Sequence, residues 1–208
     1  MGLLDLFRRA PRIGDAGALA EFMDRNAAFL VQKGIYEYSR ARAGPYSKML
    51  MVEPSFVEQV EKSRWQAYPL GLAMVAEMVE GVLNASESTG RTARLEALSR
   101  LALDVFDRYL EPPSLQEGVW PSAREELSQR LAMIGLHPRK LVKDIPVPYA
   151  ERYFALMPIH ERLRGEDFPT VRSYLMITLC NIHDELVRRI DVQALGLDLH
   201  APQRQGSG

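Results

Sequence analysis

The stretch FPTVRSYLMITLCNIHDELVRRI, residues 168–190, carries the strongest structural signal in this sequence. Pro169 stands where the first turn of a helix tolerates a missing amide proton, and an apolar-rich run follows at residues 174–182. A helix with so many apolar side chains normally lies at the centre of a soluble fold. The stretch therefore predicts a central helix, on which Cys180 and His183 are either satisfied core residues or parts of a site.

Helical periodicity also dominates the first half of the chain, which shows no convincing two-residue alternation of apolar and polar side chains. Asp15 is a suitable N-cap for a long helix that Gly44-Pro45 would end. A second helix should start at Pro54 and should kink or restart at Pro69, because proline lacks the amide proton of the helical ladder. The following segment, LGLAMVAEMVEGVL at residues 70–83, predicts a buried helix because it is apolar around most of its circumference.

The second half of the chain continues this pattern. Ser122 and Glu125 match a capping box for one helix, and a short helix over about residues 149–157 should end before Pro158. The sequence therefore predicts an all-α fold, an irregular or orthogonal bundle of six to eight helices broken at prolines. We expect an N-terminal amphipathic segment (1–14), a single helical domain (15–192) and a flexible C-terminal tail (193–208).

Composition restricts the function without specifying it. The net charge is −1, from 26 basic and 27 acidic residues, so the sequence carries no strong nucleic-acid signal. A single cysteine, Cys180, excludes an internal disulfide framework and favours a reducing compartment. No apolar run is long enough to predict a transmembrane segment, and the arginine placement near the N-terminus is not that of a secretory signal. The expected location is the cytoplasm, and the sequence specifies no cofactor.

The candidate catalytic residues are histidines and a neighbouring carboxylate. His160 and His183 could act as acid–base groups, with Glu161 assisting, if the fold brings both imidazoles to one cavity. Cys180 and His183 share a helix face and could ligate a metal or haem, but a zinc site needs further ligands that the usual motifs would supply. The favoured interpretation is a buried cysteine and a core histidine, so no metal ligand is predicted.

A cluster of aromatic and charged residues is the candidate ligand-binding site. Side chains of this kind can hold planar or anionic groups by stacking and ion pairing, although they also occur at ordinary helix–helix boundaries. The candidate residues are Tyr36, Tyr38, Arg40, Trp65, Tyr68 and Glu77. Glu77 belongs to this set because a carboxylate within an apolar helix is either a structural partner for a cation or part of a site.

The N-terminal stretch LLDLF, residues 3–7, resembles the short peptide by which many bacterial proteins dock into the replication sliding clamp, with Leu3 in place of that peptide's leading glutamine. The resemblance implies a docking role. A short amphipathic anchor and simple packing on the protein's own surface are the alternatives, and self-packing is the first of the three.

The stretches FLVQKGIYEYSRARAG, SRWQAYPLGLAMV, MPIHERL and LCNIHDEL resemble small helical proteins of alphaproteobacterial type that have no established activity. The resemblance covers most of the chain and implies no particular chemistry. No nucleophile, nucleotide-binding or metalloprotease motif is present in the sequence. We therefore expect a non-catalytic protein that binds a partner protein or a small hydrophobic ligand, with a homodimer as one expected assembly. The alternative is a helical enzyme or a metal- or haem-binding protein that uses His160 and His183.

Overall fold

The computed structural model describes residues 11–84 and 90–195. These residues form eight α-helices: α1 (Ala16–Ala43), α2 (Ser47–Leu50), α3 (Pro54–Leu83), α4 (Arg91–Phe106), α5 (Val119–Ile134), α6 (Val147–Ala155), α7 (Glu161–Arg164) and α8 (Phe168–Arg189). Short 3-10 turns occupy Gly44–Tyr46 and Val142–Asp144. Within the described ranges the only β pairing is one isolated bridge. The prediction of an all-α bundle is confirmed.

Both ends of α1 follow the sequence signals. The carboxylate of Asp15 accepts a hydrogen bond from the amide of Ala18 at 2.7 Å, which satisfies one of the free donors of the first turn. At the other end Gly44 adopts φ 52°, a conformation that side chains with a Cβ rarely reach. The chain then turns through the short helix α2 into α3, so that α1 and α3 run antiparallel and pack against each other.

The central helix is α3, not α8. Every residue from 67 to 80 is buried, and α3 packs against α1, α4, α5, α6 and α8. This confirms the buried helix predicted for residues 70–83. In contrast, α8 buries only one face, and Ile177 and Val187 on its other face are more than half exposed. The prediction that α8 is central was wrong, because its apolar side chains are distributed over more of its circumference than the bundle covers.

Pro69 does not divide the second helix. α3 continues without interruption from Pro54 to Leu83, so the predicted restart at Pro69 was wrong. Proline removes one backbone hydrogen bond from a helix and introduces a clash, which together destabilise it by about 3 kcal/mol. Residues 67–80 are buried on all sides, and this packing keeps the segment helical. Pro158, as predicted, lies between two helices, α6 and α7.

α5 begins earlier than its predicted capping box. Gly118 precedes the helix with φ 82°, and Pro121 lies in the first turn, where an amide proton is not required. Ser122 lies within the helix, and its hydroxyl donates to the carbonyl of Gly118 at 2.8 Å. The prediction of Ser122 as the N-cap was therefore wrong.

Helix α1 is held by close approaches on two sides. Gly71 of α3 faces Ala27 and Val31 of α1, where an added Cβ would lie 2.8 Å from the Ala27 carbonyl oxygen. On another side, the hydroxyl of Tyr153 (α6) donates to the carbonyl of Val31 at 2.7 Å, and that of Tyr174 (α8) donates to a carbonyl of the same turn. These contacts fix α1 as one wall of the site described below.

The beginning and the end of the described chain meet beside α8. The amide of Ile13 donates to the carbonyl of Arg189 at 2.9 Å, and the amide of Asp191 donates to the carbonyl of Ile13 at 2.8 Å. Ile13 and Leu195 are both fully buried, so the core extends slightly beyond residues 15–192. The LLDLF stretch lies outside the described residues. No helix in residues 11–84 or 90–195 has the length and apolar character needed to cross a membrane.

Candidate binding site

Two small clefts follow one another along the seam between α1 and α3. The first has a volume of about 250 Å³ and lies between Gln32 of α1 and the aromatic side chains of Trp65, Tyr68 and Tyr109. The second has a volume of about 200 Å³ and is lined by Tyr36 of α1 and by Phe56, Val57 and Val60 of α3, among others. Gln32 and Arg64 line both clefts, so the two are direct neighbours, and we call them together the seam groove.

The walls of the first cleft are fixed by hydrogen bonds around Asp24. The hydroxyl of Tyr68 donates to the Asp24 carboxylate at 2.7 Å, and the hydroxyl of Tyr109 donates to it at 2.9 Å. The indole of Trp65 packs edge-on against Tyr109 at a ring-centroid distance of 5.2 Å and donates to Glu61 at 2.7 Å. Each of the three rings is therefore held by a hydrogen bond, so the cleft is formed before anything binds.

Burial protects most of the tyrosines around α1 from ionisation. Burial and, after it, the hydrogen bond to Asp24 raise the pKa of Tyr109 to about 12, and the same causes raise the pKa of Tyr68 further. Burial also raises the pKa of Tyr174 to about 12. A phenol in the unfolded chain keeps an ordinary pKa near 10, so above that pH the unfolded state loses protons that the folded state retains.

We expect the free energy of unfolding to be constant with respect to these tyrosines below pH 10 and to fall as the pH rises from about 10 to about 12. Urea titrations across this range measure the fall. Tyr109→Phe should make it less steep, whereas Tyr46→Phe should leave it unchanged because Tyr46 is 71% exposed. An identical fall in wild type and Tyr109→Phe would contradict the assignment.

Large apolar side chains are exposed on the rims of the seam groove and in the segment that connects its two helices. Tyr36 and Val57 are each nearly half exposed on its two rims, and Tyr46, Met49 and Val52 in the connection between α1 and α3 are exposed by about two thirds or more. Isolated apolar side chains are normal on a protein surface, but several in one short segment beside a cleft are typical of an interaction site. Met49 adds a flexible side chain that can adapt to different partners.

The structure brings together only part of the predicted ligand-binding set. Tyr36, Trp65 and Tyr68 line the seam groove. Tyr38 lies on another face of α1, where its hydroxyl donates to Asp167 at 3.0 Å and its ring packs on Phe154. Arg40 is exposed and does not line either cleft.

Glu77 lies in a separate, buried polar cluster. Its carboxylate is 5% exposed, Lys140 Nζ lies 2.8 Å from Oε1, and His137 Nε2 lies 3.7 Å from the same atom. Lys140 and Glu77 form an ion pair, but the angles at this contact do not meet hydrogen-bond geometry. One turn later Glu80, 2% exposed, pairs with Arg91 at 2.7 Å. Both carboxylates are thus matched by cations from neighbouring elements, which is the structural role expected of buried acids.

The structure does not bring His160 and His183 together. His160 is exposed at the start of α7, where its Nδ1 accepts from the amide of Arg162, and Glu161 beside it is also exposed. α7 precedes the start of α8, whereas His183 lies 15 residues into α8, about 22 Å along the helix axis. His183 Nδ1 has Asp184 as its neighbour, at 3.4 Å. The two imidazoles therefore do not form the shared site that the catalytic hypothesis requires.

Cys180 offers no metal site with His183. The thiol is half-buried, and burial, followed by the charge of Asp184, raises its pKa above the ordinary value, which disfavours the thiolate that metals bind. In the described part of the chain, no three histidine, cysteine, aspartate or glutamate side chains are placed to hold a metal ion together.

Several residues of the seam groove were not predicted from the sequence. Gln32, Phe56, Val57 and Tyr109 line it but are not among the candidate site residues that the sequence suggested. The adjacent apolar residues Phe56 and Val57 were a usable signal, because neighbouring side chains on a helix do not face the same side. Tyr109 reaches the groove only because the end of α4 packs against α1, which no local pattern predicts.

Comparison with known proteins gives no relative for this chain: no family model, no curated protein and no solved structure matches it. The function is therefore inferred from the geometry of the seam groove.

Proposed function

We propose that this protein is a non-catalytic, cytoplasmic binding protein whose seam groove holds an apolar helical segment of a partner protein. The observation that supports the proposal is the coincidence of a preformed aromatic groove with exposed apolar side chains along its rims. Cytoplasmic location is proposed because the only cysteine is a free thiol.

The size of the clefts favours a protein partner over a small hydrophobic ligand. Sites for small molecules usually have volumes of about 300–1,000 Å³ and enclose most of the ligand. The two clefts have volumes of about 250 and 200 Å³, each suited to one or two side chains. Their succession along a helix seam matches apolar anchors one or two turns apart on a partner helix.

A larger cleft on another face is less suitable as the main site. It has a volume of about 540 Å³ and lies between α3, α5 and α6. Its principal charged groups already neutralise one another, since Glu126 pairs with both Arg130 and Arg152. A ligand there would have to displace these ion pairs, whereas the lining of the seam groove is mostly apolar and aromatic and contains a single ion pair, Arg64 with Glu61.

The test uses photo-crosslinking followed by a binding titration. A photoreactive amino acid at Gln32, inside the groove, should crosslink a specific protein in lysate of the source organism, whereas the same group at the exposed Gln129 of α5 should not. A synthetic peptide with the crosslinked helix of that protein is then titrated while the fluorescence of Trp65 is followed, with Trp65→Phe used to correct for Trp120.

Val57→Arg should weaken peptide binding at least tenfold, because it places a charge on an apolar rim; Glu151→Arg, an exposed site on α6, serves as the matched control. Equal affinity for the wild type and Val57→Arg would refute the proposal. If native mass spectrometry shows a small molecule that copurifies with the wild type and is lost in Val57→Arg, the ligand of the seam groove is a small hydrophobic molecule and not a protein.

A further inference from the structure

A second groove lies between α4 and α5, on a face that the seam groove does not use. It has a volume of about 670 Å³. Its apolar walls are formed by Leu95, Leu103, Leu131 and Leu136. Small residues lie between these leucines: Ser99, Ser128, Ala132 and Gly135. Met133 and Leu136 are 60% and 83% exposed at its end, so apolar surface continues beyond the groove.

Two of the charged residues that line this groove, Glu96 and Arg100, have opposite signs, and neither side chain has a partner among the described residues. Glu96 and Arg100 of α4 both line the groove and are both exposed. Neither side chain forms an ion pair or a hydrogen bond within residues 11–84 and 90–195, although other charged side chains on α4 and α5, such as Arg91 and Arg124, are paired. An apolar groove bordered by unpaired charges of both signs is complementary to a surface with the same arrangement.

The spacing along α4 makes this surface complementary to itself. If two copies of α4 cross antiparallel with Ser99 at the two-fold axis, Leu95 faces Leu103 of the other copy, because each lies four residues from Ser99. In the same arrangement, Arg100 of the other copy lies about two residues along the helix, or about 3 Å of helix rise, from the point directly opposite Glu96. The long arginine side chain spans that offset, so both ion pairs form at once.

We infer that the α4–α5 face is a homodimer interface in which a second copy of this chain covers the groove through a two-fold axis near Ser99. The leucines supply the apolar centre, the small residues allow the helices to approach, and the Glu96–Arg100 pairs fix the antiparallel register. This inference goes beyond the proposed partner binding, because it concerns a different face and does not depend on the seam groove.

Sedimentation velocity of the full chain over a concentration series up to about 100 µM tests the inference. The wild type should dimerise reversibly. Glu96→Arg places two arginines opposite each other, and Arg100→Glu places two glutamates opposite each other, so each variant should raise the dimer dissociation constant at least tenfold. Glu151→Arg reverses a charge on an exposed site of α6 and should dimerise like the wild type.

Mixing the two weakened variants separates a specific interface from general destabilisation. In a Glu96→Arg and Arg100→Glu mixture, both contacts join opposite charges, so a heterodimer should form although neither variant dimerises well alone. The double variant, which carries both Glu96→Arg and Arg100→Glu, should recover self-association. Circular dichroism confirms that each variant is folded. A monomeric wild type throughout the series, or single variants that dimerise like the wild type, would overturn the inference.

Discussion

Gly71→Ala should destabilise the protein by about 3 kcal/mol or more, the larger of the two effects expected from single substitutions. An added Cβ at Gly71 would lie 2.7 Å from Val31 Cγ1 and 2.8 Å from the backbone carbonyl oxygen of Ala27. A valine side chain can rotate away, but a carbonyl within α1 cannot move unless the whole helix shifts. Because α1 is also held by Tyr153 and Tyr174, that shift would disturb several contacts at once.

Urea-induced unfolding followed by circular dichroism measures this loss. Gly81→Ala is the matched control on the same helix, since nothing lies within 4 Å of its added Cβ. It should stabilise the protein by about 0.5–1 kcal/mol through the better helix propensity of alanine. Val31→Ala combined with Gly71→Ala should leave most of the destabilisation in place, because the backbone contact persists. Full rescue by Val31→Ala would show that the side chain, and not the carbonyl, limits the approach.

Arg91→Met should destabilise the protein by about 3 kcal/mol, the second large effect. Arg91 Nε lies 2.7 Å from Glu80 Oε1, and the glutamate is only 2% exposed. Removal of the guanidinium leaves a buried carboxylate with the amide of Asn84, at 3.3 Å, as its remaining side-chain donor among the described residues. An isolated buried charge loses its hydration without compensation, which is more unfavourable than the loss of the pair itself.

The double variant Glu80→Met with Arg91→Met distinguishes these two contributions. It removes both charges and keeps similar side-chain volumes, so its stability should lie within about 1 kcal/mol of the wild type. The four proteins form a double-mutant cycle, and urea titrations give the coupling energy directly. A double variant as unstable as the sum of the single variants would show that the two residues act independently.

Local sequence patterns predicted the helices better than their arrangement. The cap at Asp15, the stop at Gly44 and the buried residues 70–83 follow from short-range chemistry, and all three are found in the structure. Which helix lies at the centre depends on how many neighbours cover it. The apolar run of α8 resembles that of α3 in sequence, but α3 contains small residues such as Ala67, Gly71 and Ala73, which let other helices approach it from several directions.

The candidate site was predictable only in part for the same reason. Trp65 and Tyr68 are close in sequence, so their proximity is a local property of α3. Their meeting with Gln32 and Tyr109 depends on the crossing of α1, α3 and α4. Tyr38 has the same residue type as Tyr36 and lies only two positions away, yet the helical turn places it against Phe154 on a different face.

The isolated β-bridge between Ile13 and Ile190 joins the segment that precedes α1 to the end of α8. Arg189 Nε adds a bond to the carbonyl of Pro11, at 3.0 Å and 178 positions away. Segments that flank the outermost helices of a fold often open locally, and such opening gives proteases and unfolding a starting point. Here the segment that precedes α1 and the end of α8 are bonded to each other, so neither can loosen without opening the other. Because each segment holds the other, both should unfold together with the bundle and not before it.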